Sequence, residues 1–246
     1  MALFQNKIEI MTKYKKVLIK LSGESLMGGS HFVIEPDALL HYAGEIKSVS
    51  DLGTRVGVVI GGGNIFRGLR GVDKGFDRIK GDYMGMMATV INGLAMQSAL
   101  ENLNVPCRLL SAIRMEPVAQ GYSKQLVRES FEKGEIIIFS AGTGNPFFTT
   151  DTASALRAVE MEAEILIKGT RVDGIYTADP EKDRDAVKFD EITFDKAYSL
   201  GLKIMDLTAF TICKENNLNM LVFDVTKKGN LRKIILGERI GTFVKN

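Results

Sequence analysis

Apolar residues fall along the chain in two alternating rhythms. Short dense runs, Val17 to Leu21, Arg55 to Ile60, Arg108 to Ala112, Glu135 to Phe139, Glu164 to Lys168, 219–224 and 241–244, are rich in branched residues and bounded by turn formers, as buried strands are. Between them apolar residues recur every three or four positions. Leu39, Leu40, Ala43, Ile46 and Val49 do so behind Pro36 and stop at Gly53, and helices are predicted again over about 81–103, 123–133, 152–163, 195–200, 206–216 and 229–236. In the longest of these, Met84, Met87, Ala88, Ile91, Leu94, Ala95, Ser98 and Ala99 share one side, which is expected to face the core with its methionines as packing. Strand and helix in turn imply right-handed crossovers. The expected fold is therefore α/β, a three-layer sandwich of helices around a mainly parallel central sheet.

Composition narrows the class without changing that picture. A chain of 246 residues can bury a full core, and a single domain over 1–246 is expected. The net charge of +2 includes no block of Lys and Arg, so no nucleic-acid partner is expected. No apolar run is long enough for a bilayer, and MALFQNKIEIMTKYKK lacks the apolar centre of a signal peptide, which points to the cytoplasm and no membrane. Cys107 and Cys213, without CxxC spacing, read as small buried side chains in a reducing compartment. Residues 1–10 read as a lead-in to Met11.

Ligands of open α/β sheets bind beyond the carboxyl ends of the strands, so the loops there are where chemistry is expected. Four are unusual: 20-KLSGES-25, 61-GGGNIFRG-68, 141-AGTGNPFFTTD-151 and 168-KGTRVDGIYTADP-180. Lys20 is costly to bury unless its ammonium serves the strand end, although an edge lysine pointing to solvent would also fit. Ser22 and Gly23 offer a hydroxyl and a backbone that an anion can approach. Gly61, Gly62 and Gly63 can form an anion nest, with the Arg67 fork one turn on. The dinucleotide spacing G-x-G-x-x-G and the P-loop G-x-x-x-x-G-K-[ST] are both absent. His31 and His41 lack partners at ligand spacing, so no metal site made by the protein is expected. In the third loop, Thr143, Asn145, Thr149 and Thr150 can read a neutral heterocycle and a phosphate, Phe147 and Phe148 can wall the pocket, and Asp151 either caps a helix or serves chemistry. The stretch 169–194 is too long and charged for an ordinary connection and is expected to be functional.

Together these residues resemble the bacterial-type uridylate (UMP) kinases of the amino acid kinase family. The shared patterns are K-L-S-G-E at Lys20 to Glu24, V-V-I-G-G-G-N-x-F-R-G at Val58 to Gly68, G-D-x-M-G-M at Gly81 to Met86, S-A-G-T-G-N-P-F-F-T-T-D at Ser140 to Asp151, V-D-G-x-x-T-A-D-P at Val172 to Pro180 and M-D-L-x-A-F at Met205 to Phe210. The resemblance implies an acceptor-binding half, about 16–163, an ATP-binding half, about 164–246, and the reaction ATP + UMP = ADP + UDP. It places Lys20, Leu21, Ser22, Gly23, Gly63 and Arg67 on the ATP phosphates and Thr170, Tyr176 and Asp179 on adenosine and ribose. Gly62 and Asp82 would contact UMP, Asp82 at the ribose hydroxyls, and Thr143, Gly144, Asn145, Pro146, Phe147, Phe148, Thr149 and Thr150 would hold uracil and the UMP phosphate. Asp151 and Asp206 join Lys20 as the catalytic set, organising the lysine and the Mg2+ that accompanies ATP. The resemblance further implies a homohexamer, UTP inhibition, and an effector segment at 26-LMGGSHFVIE-35 that takes GTP in many members. Two other activities fit the same loops: a relative that makes an acyl phosphate, and a non-catalytic uridine-nucleotide sensor.

Overall fold

The computed structural model describes residues 11–28, 32–66, 75, 77–202 and 204–246. Arg67, His31, the lead-in 1–10 and part of the segment 26–35 lie outside the described residues. Eleven strands are described: β1 (Lys16–Leu21), β2 (Arg55–Ile60), β3 (Cys107–Ser111), β4 (Gln120–Gly121), β5 (Ile136–Ser140), β6 (Ile165–Thr170), β7 (Ile175–Tyr176), β8 (Lys188–Phe189), β9 (Glu191–Thr193), β10 (Met220–Asp224) and β11 (Thr242–Lys245). The helices are α1 (Pro36–Ser50), α2 (Arg78–Asn102), α3 (Lys124–Glu132), α4 (Thr150–Glu160), α5 (Phe194–Ser199), α6 (Leu207–Glu215) and α7 (Asn230–Ile235), with a 3-10 turn at Gly23–Met27. Helix ends coincide with capping residues, as orphan N–H groups require. Glu35 accepts from Ala38 N, Asp77 from Lys80 N and Ser123 from Leu126 N.

Nine strands form one sheet in the order β4-β3-β5-β2-β1-β6-β10-β11-β9, while β7 and β8 pair separately. Neighbours are parallel from β4 through β10, and β11 runs antiparallel to β10. The order reverses at β1, which has β2 on one side and β6 on the other. That reversal opens a crevice at the carboxyl end of β1. Alternation sorts each strand between two helix layers. Val17, Ile19, Val58 and Ile167 face one core with α1, α2 and α7. Leu18, Val59 and Leu166 face the other, with Ala155 and Ala158 of α4 and Phe210 and Cys213 of α6. The α/β sandwich expected from the strand and helix rhythm is the fold observed.

One expectation is corrected. The side of α2 named above is largely the outer one: Met84, Met87, Ile91 and Leu94 are exposed, whereas Met86, Thr89, Val90, Asn92, Gly93 and Met96 are buried. Where the helix comes closest to the sheet and the glycine loop, small residues face inward. A Cβ on Gly93 would stand 2.7 Å from Leu109 Cδ1, and one on Gly62 would stand 2.7 Å from the Gly85 carbonyl oxygen of the helix. Periodicity therefore marks the helix correctly but not which stripe is inside. The stretch 169–194, expected to be functional, holds the short strands β7, β8 and β9. Strands of two or three residues carry too few positions for alternation to register. As for the cysteines, Cys213 is buried and Cys107 half-buried, and burial pushes both thiols up to about 12, away from the reactive thiolate.

Candidate active site

The strand register accounts for the central constellation. Lys20 of β1 stands directly beside Lys168 of β6, and both follow the same local sequence, Leu-Ile-Lys. Being two residues on from Leu18 and Leu166, they point to the face that α4 covers. The first turn of α4 supplies Asp151 between them. Lys20 Nζ lies 2.9 Å from Asp151 Oδ1 and Lys168 Nζ lies 2.8 Å from Oδ2, and Lys168 also donates to the Ile204 carbonyl oxygen at 2.5 Å. All three side chains are at least four-fifths buried. Burial pushes the Asp151 carboxyl up, but the Lys20 and Lys168 ammoniums outweigh it and hold the group below the usual carboxylate value. Burial pulls Lys168 down, and Asp151 offsets only part of that. The result is a buried carboxylate flanked by two ammoniums, with one positive charge in excess.

Of the two roles left open for Asp151, the cap belongs to its neighbour. Thr149 is the N-cap of α4, its hydroxyl accepting from Asp151 N at 3.1 Å and Thr152 N at 3.3 Å. Asp206 caps α6 by accepting from Ala209 N at 2.9 Å. It also accepts from the Thr152 hydroxyl at 2.9 and 3.0 Å and from the Thr149 hydroxyl, which locks the starts of α4 and α6 together.

Two clefts flank this centre. One, of ≈ 430 Å³, is lined by Gly62, Phe66, Arg78, Asp82, Met86, Thr89 and the loop residues Thr143, Asn145, Phe148, Thr149 and Thr150. Gly144, Pro146 and Phe147 belong to that loop but do not line the cleft. Gly144 faces Ala112, and Phe147 turns its ring to Arg78. The other cleft, of ≈ 560 Å³, is lined by Thr170, Val172, Tyr176, Thr177, Asp179, Leu200, Leu202, Ile204 and Val222. Asp151 follows directly on Thr149 and Thr150 of the first cleft, while Lys168 bonds Ile204 and precedes Thr170 of the second. The charged centre is thus joined by short stretches of chain to both walls.

The glycine loops close over the carboxyl ends of β1 and β2. Gly23 lies against the carbonyl of Gly61, Gly61 N donates to Leu21 O at 3.0 Å, and Ser22 makes no side-chain capping bond to the turn that follows it. A reciprocal amide pair sets the second loop: Asn92, fully buried on α2, donates to Gly61 O at 2.7 Å and Asn64 Oδ1 at 2.8 Å, while Asn64 donates to Asn92 Oδ1 at 3.0 Å and Val33 O at 2.9 Å. A buried amide is tolerable only when its bonds are made, and here they fix the glycine turn. Gly63 follows in the same loop. Lys168, Asn64, Asn92 and Arg78 are additions to the residues expected from sequence.

The amino acid kinase family pattern matches residues 15–224. The chain belongs to the amino acid kinase family. Among its relatives are uridylate kinases of Parabacteroides distasonis, 59% identical over 96% of this chain and 100% of that one, and of Bacteroides thetaiotaomicron, 60% identical over the same shares. The crystal structure of UMP kinase from Bacillus anthracis superposes with a TM-score of 0.91 at 36% identity, covering 94% of this chain and 96% of that chain. This member of the amino acid kinase family therefore shares its fold with that structure over nearly the whole of both chains.

Proposed function

We propose that the protein transfers the γ-phosphoryl group of ATP to UMP, giving ADP and UDP. The observation that carries this reading is the Lys20–Asp151–Lys168 centre between two nucleotide-sized clefts, in a chain 59% identical to a uridylate kinase. UMP occupies the cleft of Gly62, Asp82 and the Thr143–Thr150 loop. The adenosine of ATP occupies the cleft of Thr170, Tyr176 and Asp179. Its phosphates run over Leu21, Ser22, Gly23 and Gly63, and Arg67, outside the described residues, is assigned to them as well.

Two polyanions must meet for this reaction, so the protein's task is positioning and charge stabilisation. An oxygen of the UMP phosphate attacks the γ-phosphorus as its bond to the β,γ-bridging oxygen breaks, and the electron pair leaves with ADP. The acceptor oxygen is already ionised near neutral pH, so no general base is required. Lys20 and Lys168 stabilise the equatorial charge of the migrating group, and Asp151 keeps the two ammoniums at a fixed separation. Among the described residues no three His, Cys, Asp or Glu side chains converge as a cage. Mg2+ brought in with ATP would supply charge neutralisation, and an ion held mainly by substrate phosphates would need at most one or two carboxylates of the protein. Asp206 could approach such an ion only by releasing Thr149 or Thr152, so its main work is to hold α4 and α6 in place. The test is a substrate panel: with Mg-ATP, release of ADP should be far faster with UMP than with CMP, AMP, glutamate or acetylglutamate. Comparable turnover with an amino acid, or UMP binding without ADP, would sink the proposal.

We also place the enzyme in the cytoplasm as a homohexamer, with GTP acting at 26–35 and UTP inhibiting. The exposed stripe Ile79, Tyr83, Met84, Met87, Ile91 and Leu94 supports self-association, since it runs for about 22 Å along one helix. Ile91→Glu is expected to lower the sedimenting mass by at least one subunit step while the monomer still melts cooperatively. An unchanged mass would remove this face from the interface.

A further inference from the structure

We infer that Arg78 is a positioning residue of the acceptor cleft, one that pins a single oxygen of Asp82 so that the other is presented to the sugar hydroxyls of the nucleotide. The inference rests on the reading of that cleft as the UMP site.

Arg78 opens α2 and stands one turn before Asp82, the spacing at which helical side chains meet. Its Nε donates to Asp82 Oδ2 at 2.8 Å. The same oxygen accepts from Phe147 N, also at 2.8 Å, although that residue lies across the cleft in the acceptor loop. Phe147 has φ +72, a left-handed conformation that bulky residues rarely adopt, and the residue is 63% exposed. What holds it is the pair of contacts to α2: the N–H bond to Asp82 and the Arg78 guanidinium 5.5 Å from the ring centroid. One arginine therefore ties together the helix, the carboxylate and the tip of the loop.

The consequence is a carboxylate with divided duties. Oδ2 is saturated by two donors, whereas Oδ1 has no partner among the described residues, and Asp82 lines the cleft with only 12% of its side chain exposed. A free carboxylate oxygen held at a fixed angle is an acceptor for a vicinal diol, the group that distinguishes ribose from 2′-deoxyribose. Without Arg78 the carboxylate can rotate and the loop tip loses its ring contact, so the discrimination should weaken before the chemistry does. Asp82 touches the nucleotide, and Arg78 acts through it.

Because the Arg78 side chain is 35% exposed, its replacement should spare the fold. Steady-state kinetics with UMP and with dUMP, at saturating Mg-ATP, on the wild type, R78Q and R78K decide the matter, with thermal melting as the control. A site built to accept a hydroxyl should give the wild type a preference for UMP of roughly 10²-fold or more. R78Q should raise KM for UMP about tenfold with kcat within about threefold, leave dUMP almost unchanged, and so shrink the preference by about the same tenfold, as expected for losing one charge-assisted bond. R78K should recover part of the preference. Parallel losses for UMP and dUMP would show Arg78 contacting a group common to both, and unchanged KM would show it idle; either overturns the inference while UMP turnover by the wild type leaves the acceptor reading standing. A wild type inactive on UMP overturns both.

Discussion

Lys20→Ala lowers turnover with UMP by about 10²- to 10³-fold, the scale for removing one preorganised electrostatic donor, and leaves stability within about 1 kcal/mol of the wild type. The two halves of that expectation come from the same geometry. Lys20 is one of two ammoniums on Asp151, so its removal leaves a Lys168–Asp151 pair whose charges balance. It also ends a repulsion, since the Lys20 charge helps to pull Lys168 down. The migrating phosphoryl group, by contrast, loses one of the two ammoniums that stabilise it, and Lys168 is left to act alone. Because the lysines act as a unit, removing Lys168 as well should cost less than the product of the two single losses. Rates with UMP and chemical denaturation of the same preparations check both halves, and near-normal turnover would remove Lys20 from the centre.

Asp151→Asn is expected to do more damage, because it costs turnover and stability together. The amide leaves two buried ammoniums side by side without the carboxylate that bridges them, and breaking a buried pair in this way costs about 3–5 kcal/mol. For a chain of this size that corresponds to a fall in melting temperature of roughly 10 °C. Turnover should fall at least as far as in Lys20→Ala, since neither lysine keeps its place. Asp151 has a depressed folded-state pKa, so its stabilisation is present above the unfolded carboxylate value and is lost as pH falls through the lower, folded one. The wild type should therefore lose stability in acid through this group, and Asp151→Asn should lack that part of the acid dependence. Equal melting temperatures at neutral pH would show that the lysines do not depend on Asp151.

Much of this arrangement is legible in the residues, and the parts that are not have physical reasons. The strand Val17 to Leu21 declares itself by its branched residues, and Lys20 within it by the cost of burying an ammonium. Lys168 has the same Leu-Ile-Lys setting at the end of β6, and that echo could have disclosed it. What makes it a partner of Lys20 is the pairing of β1 with β6, a contact between residues far apart in the chain. Asp151 could be either cap or catalytic group because both roles sit at the start of a helix, and only the position of the Thr149 hydroxyl separates them. The inward face of α2 was hidden for a different reason. Four of its ten buried residues, Gly81, Thr89, Asn92 and Gly93, are glycine, threonine or asparagine, while Met84, Met87, Ile91 and Leu94 lie on the outside. Arg78 carries no signal in the sequence beyond its spacing from Asp82, because its second partner, Phe147, comes from a loop on another strand.

Phosphoryl transfer between the two clefts should be direct, passing from one nucleotide to the other without a free intermediate. Phosphorus NMR of the enzyme with Mg-ATP and UMP follows both nucleotides at once. The γ resonance of ATP should decline as the β resonance of UDP rises in equal amount, with ADP matching both and no inorganic phosphate formed. Inorganic phosphate accumulating while UMP stays intact would contradict direct transfer.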